Sequence, residues 1–277
     1  MKLPKLQSVD LDTKKKKKIL LFSDDLRMSS GVGTMSREFV MGTVHHFDWV
    51  QVGGAIKHPE EGKIVDMKQA IKDEIGIDGY LKIYPVSGYG NPEILRELLR
   101  VEKPDAILHY TDPRFWGWLY QMEHEIRQDI PIYYYNIWDD WPAPQYNENY
   151  YECCDLIMNI SKQTVAIVDE VAKNRPRTNT DSTYIPHGIN EDFFYPITDK
   201  KELVEMKKFK QELVGNKPID FILLYVNRNI RRKLPGDCIL AFKAFWDTLP
   251  DDKKDKVAYI MHTQPRDENG TDLPEVA

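Results

Sequence analysis

The chain has 277 residues, a formal net charge of −6 and three cysteines. At roughly 150 residues per domain this suggests two domains or one large one, able to bury about 70–75% of its unfolded surface without disulfide staples. The mild acidity argues against a general nucleic-acid binder, so no stable nucleic-acid binding is expected. Adjacent Cys153 and Cys154 with a lone Cys238 give neither a zinc knuckle nor a disulfide framework, and a reduced, cytoplasmic compartment is expected.

Residues 1–17 read as a basic tail. Lys14–Lys18 is a run of five lysines, either a solvated guard before a sticky strand or a patch that holds the protein at an anionic membrane surface or nucleic acid. The first apolar run, Ile19–Phe22, is too short for a signal sequence or a membrane span. It predicts a buried strand that ends at Ser23-Asp24-Asp25. Met35, Phe39 and Val40 then recur at helical spacing.

Further strands are expected at Phe47–Val52, Tyr80–Val86, Asp105–Tyr110, Ile130–Trp138, Asp155–Ile160 and within Ser182–Gly188. Helices between them are expected from Asn91-Pro92, from Pro113 to Glu125 and from Ser161 to about Lys173. Strands alternating with helices predict a parallel sheet covered on both faces, and the continuously apolar strands support burial on both sides. The first domain is placed at 18–190, a linker with an amphipathic helix at 191–218, and a second α/β domain at 219–277. That second domain holds strands at Asp220–Val226 and Lys256–His262 around a helix from Leu234 to Leu249.

Two loops carry candidate chemistry. Gly31 and Gly33 follow the first strand, with Val32 between them, but Ser36 stands where a dinucleotide fingerprint needs its third glycine. The second strand ends without an acid for a ribose, and no Gly-Lys-Ser/Thr follows for a P-loop. The glycines either allow a tight strand-to-helix turn or expose helix N-terminal amides to an anionic or hydroxyl-bearing ligand. The second loop, after Val226, crowds Arg228, Arg231, Arg232 and Lys233 ahead of a helix. It is either a solvated basic turn or a diphosphate site.

Taken together, the Gly31-Val32-Gly33 loop, "YIPHGINEDFFYPI" (Tyr184–Ile197), "CCDLIMNISKQT" (Cys153–Thr164) and the Arg228/Lys233 pair resemble the retaining glycosyltransferases of the glycogen-synthase and sucrose-synthase type, glycosyl transferases group 1. The resemblance implies a GT-B-like α/β fold: an N-terminal Rossmann-like parallel-sheet domain and a second, incomplete Rossmann-like domain. It implies metal-independent transfer of a sugar from a nucleotide-diphosphate-sugar to an acceptor with retention, and no cofactor besides that substrate. Arg228 and Lys233 would bind the donor diphosphate, with Gly31, Val32 and Gly33 lining the cleft.

Relatives carry a histidine after the fifth strand; this chain has "YYYNIWDDWPAP" there. Asp139 is therefore the expected cleft acid, or alternatively a helix-capping acid. Asp112 and His109, at the end of the fourth strand, are further catalytic candidates, His109 being equally a core histidine. The family's late paired glutamates lie beyond the sequence given, so an inactive chain and self-association through an unfinished second domain are expected. A nucleotide-sugar epimerase and a non-catalytic sugar- or partner-binding module are the alternatives. Trp116, Trp118, Tyr133–Tyr135, Trp138 and Trp141 are read as core and cleft wall, or as sugar- or base-stacking rings.

Overall fold

The computed structural model describes residues 15–55, 57–174 and 180–277. Contacts divide the chain into two compact units at Asn190/Glu191. The first unit has the α/β Rossmann-like architecture that alternating apolar runs and amphipathic helices require. Its strands are β1 (Lys17–Asp24), β2 (Phe47–Gly54), β3 (Val65–Asp66), β4 (Leu81–Pro85), β5 (Ala106–Tyr110), β6 (Ile132–Asn136), β7 (Leu156–Asn159) and β8 (Asp181–Tyr184). They lie in the order β3-β4-β2-β1-β5-β6-β7-β8, all parallel except the β3–β4 pair.

Alternation along each strand divides the core between the two faces. Leu20 and Phe22 join Val50, Val52, Ile107, Trp116 and Tyr134 on one face. Leu21 joins Trp49, Leu108, Tyr110 and Val40 on the other. Val40 comes from α1 (Gly31–Thr43), whose N-cap Ser30 accepts a hydrogen bond from Gly33 N. The helix α2 (Lys68–Ile75) follows β3, and α3 (Pro92–Glu102) opens on the Asn91 cap with Pro92 at its first position.

One strand was not expected and two local expectations change. The antiparallel β3 is too short to leave a periodic pattern. The helix expected from Pro113 to Glu125 is a 3-10 turn (Pro113–Trp116), α4 (Gly117–Gln121) and α5 (Glu123–Ile126). The segment breaks so that Trp116, Leu119, Tyr120, Met122 and Ile126 can all be buried. The basic tail also ends earlier, because β1 starts at Lys17. Lys16 Nζ donates to Val44 O, Lys17 pairs with Asp105 and Lys18 with Glu102. Three ammoniums of the run therefore have partners within their own unit. Lys14 lies outside the described residues.

Past β6 come α6 (Glu148–Glu152) and α7 (Lys162–Val171), the latter capped by Ser161. The second unit begins with α8 (Lys200–Leu213), followed by β9 (Phe221–Val226), α9 (Pro235–Asp247), α10 (Asp251–Lys254), β10 (Val257–His262) and α11 (Leu273–Val276). Its sheet is the parallel pair β9–β10. Among the described residues no helix is long and apolar enough to cross a membrane.

Candidate functional site

Strand order locates the site. From β1 the chain winds outward to β2 and β4, then returns to place β5 on the other side of β1 and winds the opposite way. Such a reversal opens a crevice beyond the carboxyl ends of the two central strands, where ligands of open α/β sheets bind. Here it lies between the loop after β1 and the loop after β5, with Ser23 paired to Tyr110 at its floor.

Buried Gln51 fastens the β1 loop. Its amide donates to Ser23 Oγ (2.7 Å) and Asp24 O (2.9 Å) and its carbonyl accepts from Leu26 N. The two aspartates then differ. Asp25 is fully buried, receives the Arg27 guanidinium and backbone N–H, and lies 3.0 Å from His58 Nε2. Burial pushes its carboxyl up, but the Arg27 hydrogen bonds and charge outweigh this and hold it low. Asp25 is a structural anion, and a Cβ at Gly53 would come within 2.9 Å of its Oδ2.

Asp24 is only partly buried and its carboxylate accepts from the cap hydroxyl Ser30 Oγ (3.1 Å). Burial raises this carboxyl, with Ser30 partly opposing. A carboxyl shifted toward neutrality at a switch-point crevice is a functional-site candidate. On the sequence Asp24 stands only as one of the acid pair that ends the first strand, without a site role; its position, last in the central strand, was the signal that separates it from Asp25.

The two loop glycines also separate. Gly31 starts α1 and a Cβ there meets nothing, whereas at Gly33 it would lie 2.6 Å from Met28 O and 2.9 Å from Asp25 O. Gly33 allows the helix to approach the β1 loop; Gly31 and Val32 contribute first-turn amides that lack intrahelical partners. Gly33→Ala should lower stability by about 2 kcal/mol or more through backbone displacement. Gly31→Ala should be neutral or raise it by up to about 1 kcal/mol. Paired denaturant melts check both.

On the β5 side, Asp112 caps the 3-10 turn and holds Arg114 in a two-pronged pair (2.6 and 3.0 Å). Arg114 lies over the Trp138 ring at 4.9 Å, joining this loop to the one after β6. Asp139, on that second loop, is exposed, and its carbonyl accepts from Gln163.

Of the two readings open for His109, its burial fits the core one. It is fully buried, its Nδ1 2.6 Å from Tyr120 OH and its ring stacked on Tyr134 at 5.2 Å. Burial pushes the imidazole down to about 3. Strand alternation turns it into the core and turns Tyr110 to the opposite face. His109 is a core histidine, away from the crevice edge.

The histidine on that opposite face was not singled out. His187 Nε2 lies 3.3 Å from Tyr110 OH, with its ring edge-on to Tyr110 and Tyr135. The crossing segment is held there by Tyr135 OH to Ile185 O, Ile185 N to Asn159 O, and Asn190 to Glu38 of α1.

In the second unit the loop after β9 carries Arg228 and Lys233. Arg228 Nε donates to Asp267 at 3.0 Å, and Lys233 closes a 3-10 turn (Arg231–Lys233) whose last carbonyl accepts from Tyr225 OH. Fully buried Asn229 bonds Gln264 O, Thr271 O and Thr271 N, tying this loop to the one after β10. A Cβ at Gly270 would collide with Asn229, so the close approach requires glycine.

No family model matches the sequence, and no curated protein matches it. Solved structures do match. Anabaena Alr3699/HepE, in complex with UDP and glucose, aligns with a TM-score of 0.57 and 11% identity over 88% of this chain and 60% of that one. This chain shares that protein's fold. It spans only about 60% of the Anabaena chain's length. Medicago truncatula UGT71G1 complexed with UDP-glucose aligns at a TM-score of 0.42 and 9% identity, over 90% of this chain and 72% of that one. UDP-glucose: anthocyanidin 3-O-glucosyltransferase in complex with UDP gives a TM-score of 0.46 and 8% identity over the same shares, 90% and 72%. At those scores the two add no argument.

Proposed function

We propose that the protein is a glycosyltransferase of GT-B architecture that moves a sugar from a nucleoside-diphosphate sugar to an acceptor hydroxyl with retention of configuration. The observation that carries this reading is the switch-point crevice, where the raised Asp24 carboxyl and its Ser30 partner stand beside the start of α1. The fold it shares with a protein solved with UDP and glucose supports a nucleotide-sugar donor.

The chemistry follows from the groups present. The acceptor oxygen bonds to the anomeric carbon on the face from which the diphosphate departs, which keeps the configuration, as the bond from that carbon to the diphosphate breaks. The nucleoside diphosphate leaves with the electron pair, and its charge calls for cations of the kind that the second unit carries in Arg228 and Lys233. The acceptor proton passes to Asp24, whose raised carboxyl holds a proton more readily than an ordinary carboxylate. Asp112 and Asp139 accept hydrogen bonds from sugar hydroxyls. His109 has no part in this reading.

The test is product analysis with UDP-glucose and an oligosaccharide acceptor. Nucleotide release matched by a product of the donor's anomeric configuration is expected. Asp24→Asn should lower kcat about 10²–10³-fold while UDP affinity stays within about twofold. An inverted product refutes retention. Free nucleotide with an epimerised sugar and no acceptor dependence refutes transfer.

A further inference from the structure

The sequence offered a long run of aromatic residues, most of which the fold consumes. Trp116 and Tyr134 are fully buried, and Tyr135 and Trp138 nearly so. Phe115 is the opposite case. It follows Asp112 on the 3-10 turn at the crevice rim and is 52% exposed, although its neighbour Trp116 is 0% exposed.

Phe115 is not a loose side chain. It stacks on Tyr89 with centroids 4.7 Å apart and planes 7° off parallel. Tyr89 is itself anchored, because its ring meets the edge of Trp116 at 5.4 Å and its carbonyl accepts from Trp118 Nε1 at 3.1 Å. The flanking Gly88 and Gly90 adopt positive φ of 64° and 70°, which lets the turn present Tyr89 to Phe115. The result is a braced ring: Tyr89 backs Phe115, which stays half exposed.

Acids border it. Burial raises the Tyr89 phenol first, and the fields of Asp24 and Asp112 raise it further, so carboxylates of both crevice loops act at this ring. The local cation, Arg114, is already engaged by Asp112 and Trp138. A braced, half-exposed aromatic ring on the turn that Asp112 caps suits a pyranose, whose C–H groups pack on the ring while a hydroxyl donates to a nearby carboxylate. Asp112 repels an anion bound directly on this ring, and Arg114 is held by Asp112 and Trp138 rather than free to offset it, so a phosphorylated sugar is disfavoured at the stack.

We propose that the Tyr89–Phe115 stack is a carbohydrate subsite that receives a neutral saccharide as the acceptor. The acceptor role rests on the transferase reading above; the binding of a saccharide does not.

Titration calorimetry on the full chain tests it, with neutral trisaccharides of gluco, manno and galacto configuration, glucose 6-phosphate, and UDP. At least one neutral trisaccharide should bind. Phe115→Ala should weaken it at least tenfold with an unchanged thermal midpoint, Phe115→Trp should retain it, and UDP affinity should be the same in all three proteins. Absence of neutral-sugar binding, equal binding by Phe115→Ala, or tighter binding of the phosphorylated sugar at this stack overturns the subsite. UDP binding without saccharide binding leaves the transferase reading standing alone. Saccharide binding lost in Phe115→Ala, without any UDP binding, leaves the subsite standing alone.

Discussion

Glu102→Ala is expected to destabilise the first unit by about 3 kcal/mol, measured as a lower denaturant midpoint in tryptophan fluorescence. Glu102 ends α3 and is 4% exposed. Its Oε2 accepts from Lys18 Nζ (2.8 Å) and Tyr80 OH (2.7 Å), and its Oε1 from Lys82 Nζ (3.1 Å) and Tyr84 OH (2.7 Å). Both ammoniums also lie on the Tyr80 ring. One carboxylate therefore joins the starts of β1 and β4 to the end of α3. Removing it leaves two neighbouring cations and two hydroxyls without their acceptor. Breaking a buried ion pair costs about 3–5 kcal/mol, and the lower end applies because both lysines keep some contact with water.

The same carboxyl sets an acid limit. Burial raises it, but the hydrogen bonds of Lys18, Tyr84, Tyr80 and Lys82 together bring it down to about 2 from an ordinary 4.5. Its stabilisation is complete above pH 4.5 and is lost as the pH falls toward 2, because the unfolded chain takes up the proton first. His109 acts at a higher pH. Its imidazole, pushed by burial from 6.5 to about 3, stays neutral in the fold while the unfolded chain becomes protonated. Stability therefore falls from pH 6.5 downward, by at most about 1.4 kcal/mol per pH unit. Stability-versus-pH curves should separate the two: His109→Gln flattens the decline between pH 6.5 and 4.5, and Glu102→Gln flattens it only below 4.5. A His109→Gln curve parallel to that of the wild type refutes the buried neutral imidazole.

Arg228→Ala and Lys233→Ala are expected to weaken binding of a nucleoside diphosphate about 10–100-fold each, measured by calorimetry with UDP. The magnitude follows from about 1.5–3 kcal/mol for a hydrogen bond to a charged group. Arg228 holds its guanidinium in place through Asp267 and remains mostly open to solvent, 64% exposed at the side chain. Asn229, beneath it, fixes the loop from below. Arg228→Lys should recover only part of the loss, since an ammonium cannot grip two oxygens side by side. Equal UDP affinity in the wild type and the double variant refutes the clamp. A shallower salt dependence in each single variant would accompany the loss.

Much of the fold was legible because parallel strands are buried on both faces and read as continuous apolar runs. Ile19–Phe22 and Ala106–Tyr110 are of this kind, and the caps Asn91 and Ser161 marked helix starts at short range. The site was legible only as loops. The glycine pair was visible, yet Gly33 serves a close backbone approach and Gly31 an open helix start, a difference set by Met28 and Asp25 folding over one of them. His109 was visible as an equal choice between core and crevice; the core position follows from which way β5 faces its neighbours. The lysine run looked like a free tail, and its partners Asp105 and Glu102 lie more than 80 residues away.

The sequence by itself determined the alternation of strand and helix, the resemblance carried by its loops, and the crowding of Arg228 and Lys233 after one strand. These are local properties, encoded in hydrophobic period, capping residues and spacing. Only the tertiary structure decided that Asp24 rather than Asp25 or His109 faces the crevice, and that Phe115 and Tyr89 meet there. Both depend on the order in which strands join the sheet and on which side each residue then points, and no neighbour in the chain encodes either.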